Sequence, residues 1–372
     1  MRFLIITHVL HKPKNNLWFA YAPYVREMNL WLKYVDEVEI VAPMIKNTPT
    51  VIETAYHHSK ITFTKIPSIA FVTLGKSILS VVSIPFILLK LIQACNRADH
   101  IHLRCPGNIG LLGCFVQICF PKKLKTAKYA GNWDPKSKQP LSYKVQKNIL
   151  SNTFLTKRLT AIVYGEWKDQ SKNIKPFFTA TFKKEDRIKP KARDYSNTLK
   201  FVFIGSLVEG KQPLFAIKII ERLHKENYNV SLDVYGDGIL MQELKLYAEN
   251  NALETIVKFH GNQDKETIKQ CLITSHFSIL ASKSEGWPKA IAEAMFFGVI
   301  PIATPISCVP NMLDYGKRGI LIVNELDEAV AKIKSYLQQP SALNDMSNLA
   351  LKWSQHFTIE KFDKEIKKLI KP

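Results

Sequence analysis

Short runs of β-branched and aromatic residues recur along this chain, separated by longer stretches with helical patterning, and the whole series starts again after residue 197. The first runs are 3–7, 38–41, 61–66, 100–103, 126–129 and 161–163. The second are 201–204, 232–235, 257–259, 277–280, 299–303 and 319–323. Strands that alternate with helices in this way form parallel sheets covered on both faces, and the restart predicts two of them. The length of 372 residues agrees, because one hydrophobic core seldom organises that much chain.

Between the two series lies 183–197, charged, broken by Pro190 and almost without apolar periodicity, which is the composition of a linker. The expected division is a first domain at 1–185, a linker at 186–198, a second domain at 199–350 and a charged amphipathic helix within 351–372. No strand follows that helix, so it must pack on something already built, and the first domain is one candidate.

Residues 1–200 carry 32 Lys and Arg against 12 Asp and Glu, so the whole net charge of +20 sits in the first half. A field of that sign suits an anionic partner, whether nucleic acid, an acidic membrane surface or a phosphorylated substrate. The eight lysines at 122, 123, 125, 128, 136, 138, 144 and 147, opposed by Asp134 alone, read as the densest part of it. The six cysteines form no C-x-x-C pair, which fits a reducing cytosol. The uncharged stretch 77–89 has 13 residues and contains Pro85. A spanning helix needs about 20, so the stretch is expected to lie on a membrane surface rather than cross it.

In open parallel sheets ligands bind outside the carboxyl ends of the strands. The polar and glycine-containing segments fall there: His8, Arg104 to Asn108, Gly131 to Asp134, Gly205 to Lys211, Gly236 to Gly238, Gly261 and Ser282 to Lys289. The richest is Ser-Glu-Gly-Trp-Pro-Lys-Ala-Ile-Ala-Glu-Ala-Met at 284–295. Pro288 suits a first helical turn and Gly298 a helix stop, so a helix is expected from Pro288 to about Phe297. Glu285 precedes it and Glu293 lies inside it, a placement that suits a ligand carrying both a diphosphate and sugar hydroxyls. His100 and His102 share one strand face, but with no third ligand at suitable spacing they read as ordinary histidines. No D-x-D sequence, phosphate-binding P-loop or nucleophile elbow occurs.

The segment 284–295 resembles the E-x7-E signature of the retaining glycosyltransferases of family 4 (glycosyl transferases group 1), which have the GT-B fold. Ile-Gly-Ser-Leu-Val-Glu-Gly-Lys at 204–211, Val-Tyr-Gly-Asp-Gly at 234–238, Phe-His-Gly at 259–261, Gly-Val-Ile-Pro-Ile-Ala at 298–303 and Arg-Gly-Ile-Leu at 318–321 are similar to that family's later loops in order and spacing. The resemblance implies two Rossmann-like doubly wound domains facing across a cleft, the first binding the acceptor and the second the nucleotide-sugar donor. It implies that Lys211 neutralises the donor diphosphate beside Gly205 and Ser206, with Lys289 or Arg104 supplying the charge lost because Ser206 stands where an Arg is usual. It implies further that Glu285 holds the transferred sugar, with Gly286, Trp287 and Pro288 beside it, that Glu293 holds the ribose, and that His260 and Gly261 flank the base through backbone groups.

The first half departs from the family. An aromatic loop at 18–27 replaces the usual glycine pair, and Tyr-Ala-Gly-Asn-Trp-Asp at 129–134 stands where a His is expected. Tyr24, Arg104, Asn132 and Asp134 are the candidate acceptor contacts, with Asp134 also a candidate catalytic group or simply the start of the turn at Pro135. The reaction implied is metal-independent, cofactor-free transfer of a hexose from a nucleotide sugar, with UDP the expected nucleotide, to a glycan or lipid-linked acceptor in cell-surface polysaccharide synthesis. The expected location is cytoplasmic, peripheral on the inner face of the membrane. The alternatives are a basic nucleic-acid-binding protein, disfavoured because no recognition motif accompanies the charge, and a GT-B nucleotide-sugar epimerase.

Overall fold

The computed structural model describes residues 1–50, 52–70 and 73–370, with the backbone alone for Leu74 and Lys76. Lys371 and Pro372, the end of the expected 351–372 segment, lie outside the described residues. The chain divides into two compact units, Met1–Phe177 with Asp363–Pro372, and Phe178–Phe362. The break thus falls after Phe177, and the whole of 186–198 belongs to the second unit.

The first unit runs β1 Arg2–Ile6, β2 Lys12–Lys14, β3 Leu17–Tyr21, α1 Ala22–Leu32, β4 Glu37–Ala42, β5 Glu53–Ala55, β6 Ile61–Lys65, α2 Leu74–Arg97, β7 His100–Cys105, α3 Asn108–Val116, β8 Leu124–Tyr129, α4 Leu141–Ser151, β9 Leu159–Tyr164 and β10 Ile174–Phe177. Seven of these strands form one sheet in the order β10-β9-β8-β7-β1-β4-β6, every pairing parallel. Its direction of winding reverses between β1 and β7. The strands are near-continuous apolar runs because helices cover both faces. On one side Trp31 of α1 packs against Phe3 and His102, and on the other Ile87, Leu91 and Ala94 of α2 join the core.

Two features were not expected. Lys12–Lys14 and Leu17–Tyr21 pair as an antiparallel hairpin extended by β5, where the sequence reads as a loop. Asn15 and Asn16 both have positive φ, +50° and +59°, which is the two-residue turn that matches strand twist, and asparagine tolerates it. Strand β10 was missed because Lys175 and Pro176, both exposed, interrupt its apolar pattern on the edge of the sheet.

The lysine stretch is not one surface. Lys125 and Lys128 lie on β8, an interior strand covered on both faces, and are each 1% exposed. Lys125 donates to the carbonyls of Gln117 and Phe120, and burial pulls its ammonium down to about 8. Lys128 pairs with Glu27 at 2.7 Å. Lys123 donates to the carbonyls of Asn96 and Ala98 at the end of α2. The exposed remainder is Lys122, Lys136, Lys138 and Lys144.

Helix α2 also corrects the reading of 77–89. It continues for two turns beyond Leu89, and Ser77–Arg97 is long and apolar enough to cross a membrane by length and composition, with 28% of it buried in the fold. The buried side carries Ile87, Leu91, Ala94 and Cys95. The other side exposes Ile78, Leu79, Val82, Phe86, Leu89 and Ile92, recurring every three or four residues as one stripe.

The second unit runs β11 Leu199–Ile204, α5 Pro213–Lys225, β12 Val230–Tyr235, α6 Met241–Asn250, β13 Val257–Gly261, α7 Lys265–Thr274, β14 Phe277–Leu280, α8 Lys289–Phe296, β15 Ile300–Ala303, α9 Val309–Met312, β16 Ile320–Leu321, α10 Leu326–Leu337 and α11 Pro340–Ser354. A last helix, α12 Ile359–Ile370, starts here and ends among residues of the first unit, where Tyr34 donates to Asp363 at 2.6 Å. The expected boundary at 350 falls inside α11. The parallel sheet has the order β13-β12-β11-β14-β15-β16, a doubly wound arrangement that reverses between β11 and β14. The segment read as a linker is fastened to this unit by Arg193. Its guanidinium donates to the carbonyls of Ile273 and Ser275 at the end of α7 and of Phe297 and Gly298 at the end of α8. One cation thereby satisfies the orphan acceptors of two helix C-termini, where the helix dipole also favours positive charge.

Candidate active site

Ligand sites in such sheets lie where the strand order reverses, and the loops after β11 and β14 are the two that flank that point in the second unit. The first loop holds Gly205, exposed Ser206 and Lys211; the second holds Ser282 to Pro288. Strand ends come unusually close here. A Cβ on Gly236, whose φ is +134°, would sit 1.9 Å from the carbonyl oxygen of Gly205, so only glycine allows the β11 and β12 loops to meet.

Lys211 closes a 3-10 turn, Gln212 follows in the left-handed conformation, and Pro213 starts α5. Among the described residues no side chain caps that helix. The Lys283 N–H donates to the Gly210 carbonyl at 2.9 Å and ties the two loops together. Across them the Lys211 ammonium bonds the Glu285 carboxylate. Glu285 is 8% exposed at its side chain and Lys211 29%, so the anion is the inner partner. The Gly286 carbonyl beside it accepts from Ser307 Oγ at 3.3 Å and Cys308 Sγ at 3.2 Å. Ser282 Oγ is buried with no hydrogen-bond partner among the described residues. The site thus presents an ammonium at an uncapped helix N-terminus and a desolvated carboxylate, which suits a phosphorylated ligand that also carries hydroxyl groups. Sequence reasoning included Ser282 in the loop but missed Ser307 and Cys308, because nothing in their spacing signals a polar brace 21 and 22 residues from the carbonyl it holds.

Helix α8 begins one residue later than expected, with Pro288 at its N-cap and Lys289 as its first residue, and Gly298 ends it with φ +72°. Again no side chain among the described residues caps the N-terminus. Glu293 accepts a hydrogen bond from Thr181 Oγ at 2.6 Å, in a narrow crevice with Phe182, Trp287, Lys289 and Phe357, and burial pushes its carboxyl above the ordinary range. Trp287 packs on Trp353 and Phe357. His260 is stacked on Tyr235 with its Nε2 2.6 Å from Asp233 Oδ1. The Gly261 carbonyl accepts from Gly236 N–H and the His260 carbonyl from Gln263, so those backbone acceptors already have partners.

In the first unit the reversal between β1 and β7 also carries a cavity, about 270 Å³, lined by His8, Ile69, Gly107, Asn108 and Tyr143 among others. A Cβ on Gly107 would lie 2.6 Å from His8 Nδ1, so glycine is what lets the loop after β7 approach that imidazole. Desolvation, then the charge of Arg104, lower the His8 pKa. Arg104 itself lies against the Tyr24 ring and 3.4 Å from Glu27, so its charge is met locally. Tyr24 is buried, and burial raises its pKa. Asn132 and Asp134 sit on another loop, where Asn132 Oδ1 accepts from Asp134 N–H and Asp134 Oδ1 from Lys136 N–H. Those are turn bonds of the kind that asparagine and aspartate form locally. His100 and His102 of β7 are core residues both bonded to Thr126 of β8, and burial lowers the His100 pKa to about 3. Among the described residues no group of three or more His, Cys, Asp or Glu side chains is placed to hold a metal ion.

A match to a known family falls on the second unit. Residues 184–353 match the family described as Glycosyl transferases group 1. An uncharacterized glycosyltransferase of Methanocaldococcus jannaschii is 26% identical over 262 residues, 61% of this chain and 64% of its own. An amylovoran biosynthesis glycosyltransferase of Erwinia amylovora is 25% identical over 183 residues, 46% of this chain and 45% of its own. The matches thus span less than two thirds of these curated relatives. Among solved structures, Anabaena HepE in complex with UDP and glucose superposes with a TM-score of 0.69 at 15% identity, covering 100% of this chain and 99% of that one. The chain therefore has the GT-B fold, and its second unit carries, over residues 184–353, a region that matches glycosyl transferases group 1.

Proposed function

We propose that the protein is a retaining, family-4 type glycosyltransferase that moves a hexose from a nucleotide sugar, with UDP the favoured nucleotide, to a glycan or lipid-linked acceptor in polysaccharide synthesis. The observation that carries this reading is the Lys211–Glu285 pair at the reversal point of the second sheet, between two uncapped helix N-termini. In this reading the donor diphosphate takes Lys211 and the α5 N-terminus, and the released Glu285 carboxylate accepts from the sugar hydroxyls. Before the donor arrives each charge neutralises the other, so neither is left desolvated and alone. Lys289 adds positive charge at the α8 N-terminus, no divalent ion is required, and no cofactor is used. Glu293 accepts from the ribose in place of Thr181.

Retention follows if the leaving phosphate oxygen takes the acceptor proton on the face it departs from, so that the protein contributes positioning and charge stabilisation. The cavity at His8, Asn108 and Tyr143 is the proposed acceptor pocket. The exposed apolar stripe of α2, on a unit that carries 29 Lys and Arg against 11 Asp and Glu, is proposed to rest on an anionic membrane, which puts the enzyme at the inner face where lipid-linked acceptors reside. Support for the class comes from the group 1 match and from relatives named for polysaccharide synthesis.

The test is donor turnover. Release of nucleoside diphosphate from a panel of nucleotide sugars is measured for the native protein, Lys211→Ala and Glu285→Gln. Loss of a charge-assisted contact worth about 1.5–3 kcal/mol lowers turnover at least about tenfold in each variant. Native turnover in both variants, with intact folds, overturns the assignment.

A further inference from the structure

A second cavity opens on the first unit, about 330 Å³, between the 131–140 loop, α4 and the loop after β9. That volume is within the range of small-ligand pockets. It is distinct from the cavity at the β1–β7 reversal, and α4 separates the two: Tyr143 lines one, and the next residue, Lys144, lines the other together with Lys147 and Asn148. Nothing in the proposed donor or acceptor chemistry uses it.

Its lining is polar and one-sided in charge. Lys144 and Lys147 are joined by Ser137, Gln139, Asn148 and Gln170, with no carboxylate among the lining residues. Lys147 is built in rather than loose. Its ammonium donates to the carbonyls of Trp133 and Asp134, at 2.8 and 3.1 Å, and lies 5.2 Å from the centre of the Trp133 ring. Those two bonds use two of three N–H donors and leave one. Trp133 is itself buried, with its indole N–H given to Gln170, so it forms the floor of the cavity and not a stacking platform. Lys136 and Lys138 stand exposed on the same loop and extend the positive field to the rim. Asp134, the acid on that loop, has an oxygen committed to the Lys136 N–H.

We propose that this cavity is a second saccharide subsite, which binds an acidic sugar residue, bearing a carboxylate or a phosphate, of the acceptor glycan. The amides and hydroxyls meet ring hydroxyl groups, and Lys144 and Lys147 meet the anion. The role of the sugar as part of an acceptor rests on the glycosyltransferase reading; the binding of an acidic saccharide to this cavity does not. An acceptor chain that crosses α4 places one residue at His8 and Tyr143 and an acidic neighbour here.

The experiment titrates glucose, glucuronic acid and glucose 6-phosphate into the full-length protein and follows the Trp133 indole N–H resonance, which reports from the cavity floor. The expected result is saturable binding of one or both acidic sugars, at least about tenfold tighter than glucose. Preference for glucuronic acid or for the phosphate identifies which anion the site takes. Exposed Lys144→Gln and Asn148→Ala reduce that affinity, the first about tenfold, and leave nucleotide-sugar turnover without acceptor unchanged. Equal affinity for glucose and both acids, or unchanged binding in both variants, overturns the subsite. A protein that binds acidic sugars here yet turns over no nucleotide sugar would overturn the glycosyltransferase reading alone.

Discussion

Replacing Arg193 by methionine keeps the aliphatic stem and removes the guanidinium that four backbone carbonyls share. The carbonyls of Ile273, Ser275, Phe297 and Gly298 then lose their donor at the ends of α7 and α8. Gly298 keeps Ser347 Oγ as a second donor, so its loss is partial. At about 1 kcal/mol net for each hydrogen bond, the four together amount to roughly 3–4 kcal/mol. For a unit of about 185 residues, where each kcal/mol moves the midpoint by about 2–4 °C, that is a fall of roughly 6–16 °C. Hydrogen exchange read by mass spectrometry separates the units. Protection of β11, β12 and β14 is expected to fall by at least about a hundredfold, while β1 and β7 keep theirs. Arg193→Lys, which retains the charge but reaches fewer carbonyls, gives an intermediate loss. A midpoint shift under about 2 °C, or equal loss of protection in both units, would refute the idea that this side chain fastens 186–198 to the second unit.

Two further outcomes follow from the first unit. His11, His100 and His102 are buried and neutral, with pKa values lowered by burial to about 4, to about 3 and well below the ordinary 6.5. The unfolded chain therefore binds more protons below pH 6.5, so stability is full above that pH and falls as pH drops towards 4, by up to about 1.4 kcal/mol per pH unit for each histidine. Urea denaturation at pH 7, 6 and 5 measures the slope, and stability that is flat or rises on acidification contradicts the assignment. Val82→Gln with Phe86→Gln, both exposed on α2, is expected to weaken sedimentation with acidic vesicles and leave the melting temperature unchanged. Native sedimentation in that variant would remove α2 from the membrane contact.

Apart from β10, the strands of both sheets were legible because period and composition both favour them, and the proximity of Lys211 and Glu285 follows from that. They are 74 residues apart in sequence, yet each follows one of the two strands at which the winding reverses. What was not legible depends on partners that sequence proximity hides. Lys125 and Lys128 read as surface charge, but an interior strand buries them and Glu27 and two carbonyls satisfy them. Arg193 read as linker charge for the same reason. The hairpin at Asn15 and Asn16 did carry a local signal, two turn-forming residues between extended ones, but aromatic residues in β3 made it look like a loop. Helix α2 looked short because Lys90 ended the uncharged stretch; its ammonium lies over the Phe86 ring on the helix surface instead of ending the helix.

The central claim, that Lys211 and Glu285 form the donor site, is tested most directly by a crystal structure of the protein with UDP. The account predicts the diphosphate within about 3 Å of Lys211 Nζ, with the bond to Glu285 opened. A diphosphate bound elsewhere while Lys211 stays on Glu285 would contradict it.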